Sequence, residues 1–212
     1  MSSSNIYRQY DIRGIVGQEL TDEVMFNIGR AFALYARQHG YRKILLGRDN
    51  RISSPHYRDL LTEALLQSGC EVTDLGMVIT PMFYYASRHL EIGAGIMITA
   101  SHNPPEYNGI KFIPEYAGPA LPEVTSAIEE EVNRILNGGK VYEIDLEEAL
   151  PLDLLIDIEL DKEYGTHLLR MINPDFIKEK PMRIVADPMY GAGIGYLDRI
   201  LAELGVEVKT IN

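Results

Sequence analysis

The chain alternates short apolar segments with longer amphipathic ones, and this alternation limits the folds that it can adopt. Short apolar runs predict strands, and apolar residues that recur every three or four positions predict helices. The predicted strands of the first half are 43–47, 72–75, 95–99 and 110–113, and the predicted helices are 21–38, 54–69, 80–90 and 122–136. Strands separated by helices form a parallel or mixed sheet with helices on both faces. We therefore predict a three-layer α/β fold, in which ligands bind at the carboxyl ends of strands.

The pattern changes near residues 140–152, where two glycines precede an acidic, irregular stretch. Beyond it the sequence predicts a helix over 157–172, a strand over 183–186, a glycine-rich turn over 190–195, a helix up to 204 and a strand over 206–210. At ~150 residues per domain, the 212 residues of the chain amount to one and a half domains. We predict a first domain over 1–145 and an incomplete second domain of the same kind over 150–212.

Charge and composition exclude several classes of protein. The chain has 20 basic and 31 acidic residues, a net charge of −11, and lacks the basic stripe of a nucleic-acid binder. The single cysteine excludes an internal disulfide framework and a cysteine-based zinc site. With no leader-like start and no run of 18 apolar residues, we expect a cytoplasmic protein without membrane contact. The cations of the first half lie in or beside predicted loops and suit a small anionic ligand: Arg8, Arg13, Arg48, Arg51 and Lys111.

The segment Thr99–Lys111 is the most informative in the chain, because it follows an apolar strand and contains several reactive side chains. Ser101 should stand at the carboxyl edge of the sheet. Two consecutive prolines at 104–105 exclude a helix directly after the serine and hence a nucleophile elbow. Asn108-Gly109 is predicted to turn the chain into a strand bearing Lys111. From the residues alone, an active-site loop and a rigid surface loop with a solvated serine are equally good interpretations.

Four segments resemble those of one family. TASHNPPEYNGIK (99–111) closely resembles the phosphoserine loop of the α-D-phosphohexomutases, the superfamily of phosphomannomutase and phosphoglucomutase. YRQYDIRG (7–14) and GRDNRISS (47–54) resemble two further signatures of that family, and DPMYGAG (187–193) is similar to the start of its second domain. The resemblance covers essentially the whole chain. It implies a mixed sheet with helices on both faces, followed by an incomplete second domain.

The resemblance also implies roles for residues. Ser101 would carry a phosphoryl group, donate it to a hexose phosphate and receive another, so that hexose 1-phosphate and 6-phosphate are interconverted. Arg13 and Lys111 would stabilise charge and assist proton transfer around the attacking hydroxyl, although Arg13 could instead pair with Asp11 at an exposed edge. His102 would contact the phosphoryl group or shape the loop, and Asn103 would brace it.

Supporting roles are expected for four more residues. Tyr10 would pack near the ligand or contact it. Arg48 and Asp49 would fix a turn beneath the loop, and Ser54 would act as the N-cap of a helix.

The resemblance implies Mg²⁺ held beside the phosphate of Ser101, and a hexose 1,6-bisphosphate as phosphorylating activator. The chain contains no Asp-x-Asp-x-Asp segment, which is the metal loop of the family. Asp153, Asp157 and Asp161 are four residues apart, a spacing that predicts one face of a helix instead. We therefore expect an N-terminal portion of such an enzyme, inactive alone, that binds hexose phosphates and self-associates or associates with the missing C-terminal domains.

Three alternatives stay open at this point. The first is a portion of a phosphoglucosamine mutase, which belongs to the same superfamily. The second is a non-catalytic fragment that binds phosphosugars through the same loop. The third is a fragment that neither binds nor turns over a sugar.

Overall fold

A computed structural model describes residues 6–141, 155–179 and 181–212 of the chain. The described elements in chain order are β1 (Asp11–Ile15), α1 (Asp22–Gln38), β2 (Lys43–Arg48), α2 (Ser54–Gln67), β3 (Glu71–Met77), α3 (Thr80–His89), β4 (Gly95–Ile98), β5 (Tyr107–Ile113), α4 (Pro122–Leu136), β6 (Leu155–Asp157), α5 (Asp161–Met171), α6 (Pro174–Lys178), β7 (Arg183–Ala186), α7 (Leu197–Glu203) and β8 (Glu207–Thr210).

Six strands form one mixed sheet in the order β1-β5-β4-β2-β3-β6. Strands β4, β2, β3 and β6 run parallel, whereas β5 is antiparallel to both β4 and β1. Strands β7 and β8 form a separate parallel pair. The predicted fold class, a mixed sheet with helices on both faces, is confirmed.

One face of the sheet is covered by α1, α2 and α4, and its core is continuous. Alternation along β2 sends Ile44 and Leu46 to this face, where they are fully buried. The ring of Phe32 from α1 stacks on Phe112 from β5, with ring centroids 5.2 Å apart. Helix α1 follows its N-cap, Thr21, whose side chain accepts a hydrogen bond from the Val24 N–H.

The other face is covered by α3 and α5 over only part of its width. Phe83 of α3 lies directly on Gly95 of β4, where an added Cβ would be 2.8 Å from its ring. Leu45 and Met97 are buried in this second core. Near β1 and β5 the same face instead carries charged side chains, which leaves that part of the sheet available for a polar site.

The second half of the chain differs from the sequence prediction at its start. Asp157 ends a three-residue strand, β6, and pairs with Asp74 of β3, so the predicted helix over 157–172 begins only at Asp161. Asp157 and Asp161 therefore do not share a helix face, and that interpretation of their spacing was wrong. Asp153 and most of the predicted boundary at 140–152 lie outside the described residues, so the domain limits remain a prediction. No helix in the described ranges is long and apolar enough to span a membrane.

The single cysteine, Cys70, lies directly before β3 and is fully buried. Burial raises the pKa of the Cys70 thiol from its ordinary value of 9.0 to about 11. We predict that the folded chain resists a disulfide reagent at pH 8 and reacts once urea unfolds it, which absorbance of the released thiol would measure.

The same pKa shift has a consequence for stability. The unfolded thiol ionises at lower pH than the folded one, so its contribution to stability is complete below pH 9 and is lost as pH rises toward about 11. In Cys70→Ala, the free energy of unfolding measured with urea should no longer include the decrease that this thiol causes between pH 9 and about 11. An unchanged alkaline slope in that variant would contradict the prediction.

Candidate active site

Ser101 lies just beyond the carboxyl end of β4, as predicted. It is exposed, and its backbone has a φ of +57°, a left-handed conformation that is unfavourable for a residue with a side chain. Its N–H donates to Thr99 Oγ1 at 2.9 Å, and its Oγ lies 3.3 Å from His102 Nδ1. The serine hydroxyl therefore stands out from the sheet edge with an imidazole beside it.

The antiparallel pairing of β1 with β5 brings three charged side chains together. Asp11 pairs with Lys111 and Arg13 with Gly109 across the two strands. Asp11 Oδ2 accepts hydrogen bonds from Arg13 Nη2 at 2.7 Å and from Lys111 Nζ at 3.0 Å. The Asp11 side chain is only 8% exposed, so this shared carboxylate is shielded from water. Two cations and one anion leave a local excess of positive charge.

Arg13 also reaches the serine loop. Its Nη1 donates to Asn103 Oδ1 at 3.0 Å while Nε and Nη2 remain on Asp11. The pairing of Arg13 with Asp11 therefore exists on the edge strand, but it is partly buried and does not exclude contact with the loop. Arg13 thus connects Asn103 of the loop with the Asp11 carboxylate that Lys111 also bonds.

A second polar network lies beneath the loop and centres on Asp49. Asp49 Oδ1 accepts from Ser54 Oγ at 2.7 Å and from the Arg51 N–H at 3.1 Å. Arg51 Nε donates to Asp49 Oδ2 at 3.2 Å. Arg48 bonds within the same turn, from Nη1 to the Asp49 carbonyl. This geometry agrees with a supporting position for Arg48 and Asp49 in the turn beneath the loop.

Arg51 is the residue that sequence reasoning undervalued. Its guanidinium donates to the backbone carbonyls of four loop residues, at 3.0, 2.7, 2.7 and 2.9 Å to Ser101, Asn103, Pro104 and Tyr107. The sequence marked it only as one of several cations in loops. The usable signal was the Asp-x-Arg spacing, which lets Asp49 hold both the backbone and the side chain of Arg51.

Two sequence predictions about this region were wrong. Asn108 and Gly109 lie inside β5, paired with β1, rather than in a turn, because the strand begins at Tyr107. Ser54 is the first residue of α2 rather than its N-cap, and the preceding Ser53 makes no side-chain capping bond. Neither prediction anticipated the contact that joins the two residues, in which the buried Asn108 Nδ2 donates to Ser54 Oγ at 3.0 Å.

Two recesses flank the serine loop. One, of about 480 Å³, is lined by Arg8, Tyr10, Arg13, Asn103 and Tyr107 among others, and Tyr10 is half exposed in it. The other, of about 680 Å³, is lined by Ser101 and Arg51 on one side and by residues 189–193 on the other. Gly191 and Gly193 thus face the serine across a cavity large enough for a small molecule.

The described residues do not provide a magnesium site. No group of three His, Cys, Asp or Glu side chains converges within the described ranges. The carboxylates of Asp11 and Asp49, which lie next to the serine loop, are bonded to Arg13, Lys111 and Arg51 instead.

The serine at the carboxyl edge, with arginine and lysine side chains nearby, defines an α/β protein with a cationic site at one edge of its mixed sheet. Residues 4–138 match the family model described as phosphoglucomutase/phosphomannomutase, alpha/beta/alpha domain I. The chain belongs to the phosphoglucomutase/phosphomannomutase family.

Curated relatives agree with this assignment. The chain is 36% identical over 211 residues to a phosphoglucomutase of Neisseria meningitidis, covering 98% of the chain and 42% of the relative. It is 36% identical over 209 residues to a phosphomannomutase/phosphoglucomutase of Pseudomonas aeruginosa, covering 97% and 41%. It is 34% identical over 203 residues to a phosphoglucosamine mutase of Alkaliphilus oremlandii, covering 95% and 44%. The chain therefore spans less than half the length of these relatives.

Solved structures show the same fold. A Thermus thermophilus structure assigned as a phosphomannomutase superposes with a TM-score of 0.82 at 28% identity, covering 98% of this chain and 46% of the other. A family protein of Burkholderia thailandensis superposes with a TM-score of 0.76 at 25% identity, covering 100% and 44%.

The shared carboxylate of Asp11 generates a prediction. Asp11→Asn removes the charge that Arg13 and Lys111 both bond, and should lower the free energy of unfolding by about 1–3 kcal/mol. Urea unfolding followed by circular dichroism would measure it. Asp59→Asn is the matched control, because Asp59 pairs with Arg58 but its side chain is 69% exposed, and its effect should stay below about 1 kcal/mol. Equal effects in the two variants would contradict the prediction.

Proposed function

We propose that this chain provides the phosphoserine-bearing portion of a mutase that interconverts hexose 1-phosphate and hexose 6-phosphate, with mannose or glucose as the sugar. One observation carries the proposal: Ser101 stands exposed at the carboxyl edge of β4 on a loop that Arg13 and Arg51 hold in place. Names of relatives support the same activity. His102 Nδ1 lies 3.3 Å from the serine hydroxyl, and His102 is proposed to contact the phosphoryl group.

The transfer needs charge neutralisation more than covalent assistance. A phosphoserine carries about −1.5 to −2 charges at pH 7. In the forward step the bond between Ser101 Oγ and phosphorus breaks as a sugar oxygen bonds to phosphorus, and the proton of the sugar hydroxyl passes, in the net reaction, to the leaving Ser101 Oγ. The reverse step, from the other position of the bisphosphorylated sugar, restores the phosphoserine. Arg13 and Lys111 are proposed to stabilise the charge that develops, and Asn103 to keep the loop against Arg13.

Turnover by the 212 residues alone is not expected. The described residues lack a metal cluster, and the chain spans only about 42% of its curated relatives. Correct positioning of the substrate contributes about 7–11 kcal/mol to such a reaction. We propose that Mg²⁺ and the grip on the sugar require further residues, that a hexose 1,6-bisphosphate phosphorylates Ser101, and that the chain acts in association with the other domains of the family.

A phosphoglucosamine mutase is the second candidate. The Alkaliphilus oremlandii relative, at 34% identity, carries that name and is nearly as similar to this chain as the glucose and mannose enzymes. The residues described around Ser101 are proposed to contact the phosphoryl group rather than the sugar, so they do not separate the two activities.

Phosphorylation of Ser101 tests the proposal directly. The chain is incubated with Mg²⁺ and glucose 1,6-bisphosphate, and intact-mass spectrometry measures the addition of one phosphoryl group. We expect labelling of the wild type that is slow, because the isolated chain lacks the proposed metal and sugar contacts. We expect no labelling of Ser101→Ala and labelling at the wild-type rate in the control Ser126→Ala, an exposed serine on α4. A coupled assay with glucose, mannose and glucosamine phosphates runs beside it. Labelling that persists in Ser101→Ala would refute the role of this serine, and serine-dependent turnover would refute inactivity of the isolated chain.

Binding tests the role of Arg13. Calorimetric titration with glucose 6-phosphate should show about 10- to 100-fold weaker binding for Arg13→Gln, because a charged hydrogen bond contributes roughly 1.5–3 kcal/mol. Arg42→Gln is the control, since Arg42 is exposed just before β2, away from the loop. Equal affinity in the wild type and both variants would show that Arg13 does not bind the sugar phosphate. Wild-type binding without any labelling of Ser101 would favour the non-catalytic alternative.

A further inference from the structure

The guanidinium of Arg51 has no hydrogen-bond donor left for a ligand. An arginine side chain offers five N–H donors in a fixed planar fork. Nε is bonded to Asp49, Nη1 to the carbonyls of Pro104 and Tyr107, and Nη2 to those of Ser101 and Asn103. All five donors are therefore used within the protein. Arg51 thus differs from an arginine that binds a substrate phosphate, which needs free donors.

The four carbonyls that Arg51 binds determine the electrostatics of the loop. Carbonyl oxygens carry partial negative charge and would repel a phosphoryl group on Ser101. Arg51 draws them toward one cation, whose side chain is only 12% exposed. The backbone N–H groups of the loop are also bonded within it: that of Ser101 donates to Thr99 Oγ1, and that of Asn103 donates to the Ala100 carbonyl.

The backbone of Ser101 needs such restraint. Its φ of +57° is unfavourable for a residue with a side chain and persists only where the surroundings impose it. The Ser101 carbonyl is fixed by Arg51, and the carbonyls at 103, 104 and 107 fix the rest of the loop. Relaxation to an extended φ would turn the Ser101 carbonyl away from Nη2.

Arg51 itself is held from below. Asp49 fixes its Nε and its backbone N–H, and Ser54 Oγ fixes Asp49. Ser54 in turn accepts from Asn108 of β5. The chain of contacts thus connects the first turn of α2 with both ends of the serine loop.

We propose that Arg51 is a positioning residue, which holds Ser101 in its left-handed conformation and so directs Oγ toward the incoming sugar. This assignment rests on the proposed role of Ser101 as the phosphoryl carrier. Arg51 donates no hydrogen bond to the substrate, although it lines the cavity beside Ser101. Lysine cannot replace it, because an ammonium group has three donors and no planar fork.

Nuclear magnetic resonance of the 212-residue chain tests the conformational part without any activity. The one-bond coupling between Cα and Hα distinguishes positive from negative φ. In Arg51→Lys and Arg51→Gln we expect Ser101 to lose its positive-φ coupling, while Glu91 and Ala117, at φ 54° and 52°, keep theirs as internal controls. Arg37→Gln is the matched variant, because it removes an arginine bond to a distant carbonyl, that of Ser68. A positive-φ coupling retained at Ser101 in both Arg51 variants would overturn the proposal.

Single-turnover labelling of Ser101 by glucose 1,6-bisphosphate tests the functional part. Misplacement of the hydroxyl should slow labelling by roughly 100-fold in Arg51→Lys with an unchanged final amount. A merely structural defect would instead lower the amount labelled and leave the rate constant unchanged, and that result would overturn the positioning role. If the wild type takes no label, the proposed function fails for this chain, and the couplings alone decide whether Arg51 holds the loop.

Discussion

The pairing of β1 with β5 is the interaction on which the site depends. It joins two segments nearly a hundred residues apart and places Asp11 opposite Lys111 and Arg13 opposite Gly109. The close approach requires glycine at 109, because an added Cβ would meet the carbonyl oxygen of Ile12 and would be 3.0 Å from that of Thr99. Without this pairing Arg13 would not reach Asn103, and the serine loop would lose one of its two supports.

Coverage of the sheet is uneven, and the site occupies the uncovered part. Helices α1, α2 and α4 pack on one face in a continuous core, whereas α3 and α5 cover only part of the other face, reaching β5 at Ile113. The side chains of Arg13 and Lys111 remain partly accessible there, whereas the Asp11 carboxylate that both of them bond is buried. A polar site can therefore sit directly on a well-packed core.

The sequence predicted most of this core because its signals were local. Thr21 marks the start of α1, and the apolar runs of β2 and β4 are typical of buried strands. It missed β1, in which Asp11 and Arg13 alternate with apolar residues, because an edge strand with charges is not distinguished from a loop by composition. It missed β6 because three residues give no periodicity.

The candidate site was predictable only in part. A resemblance to a family identified Ser101, Arg13 and Lys111, and the structure brings Arg13 and Lys111 together on Asp11. The role of Arg51 depends on carbonyls about 50 residues away, which no local pattern encodes. Asn108-Gly109 has the composition of a turn, and only the partner strand decides that it is extended.

The bonding of Asp11 and Asp49 has a consequence for how this site can change over evolutionary time. Each carboxylate satisfies more than one donor: Arg13 with Lys111 in the first case, and Arg51 with Ser54 in the second. Replacing either aspartate removes the acceptor of two donors at once, so we expect the two carboxylates to tolerate substitution less than the individual donors do. The same bonding also leaves the cations in place before any ligand arrives, which reduces the reorganisation that binding would otherwise require.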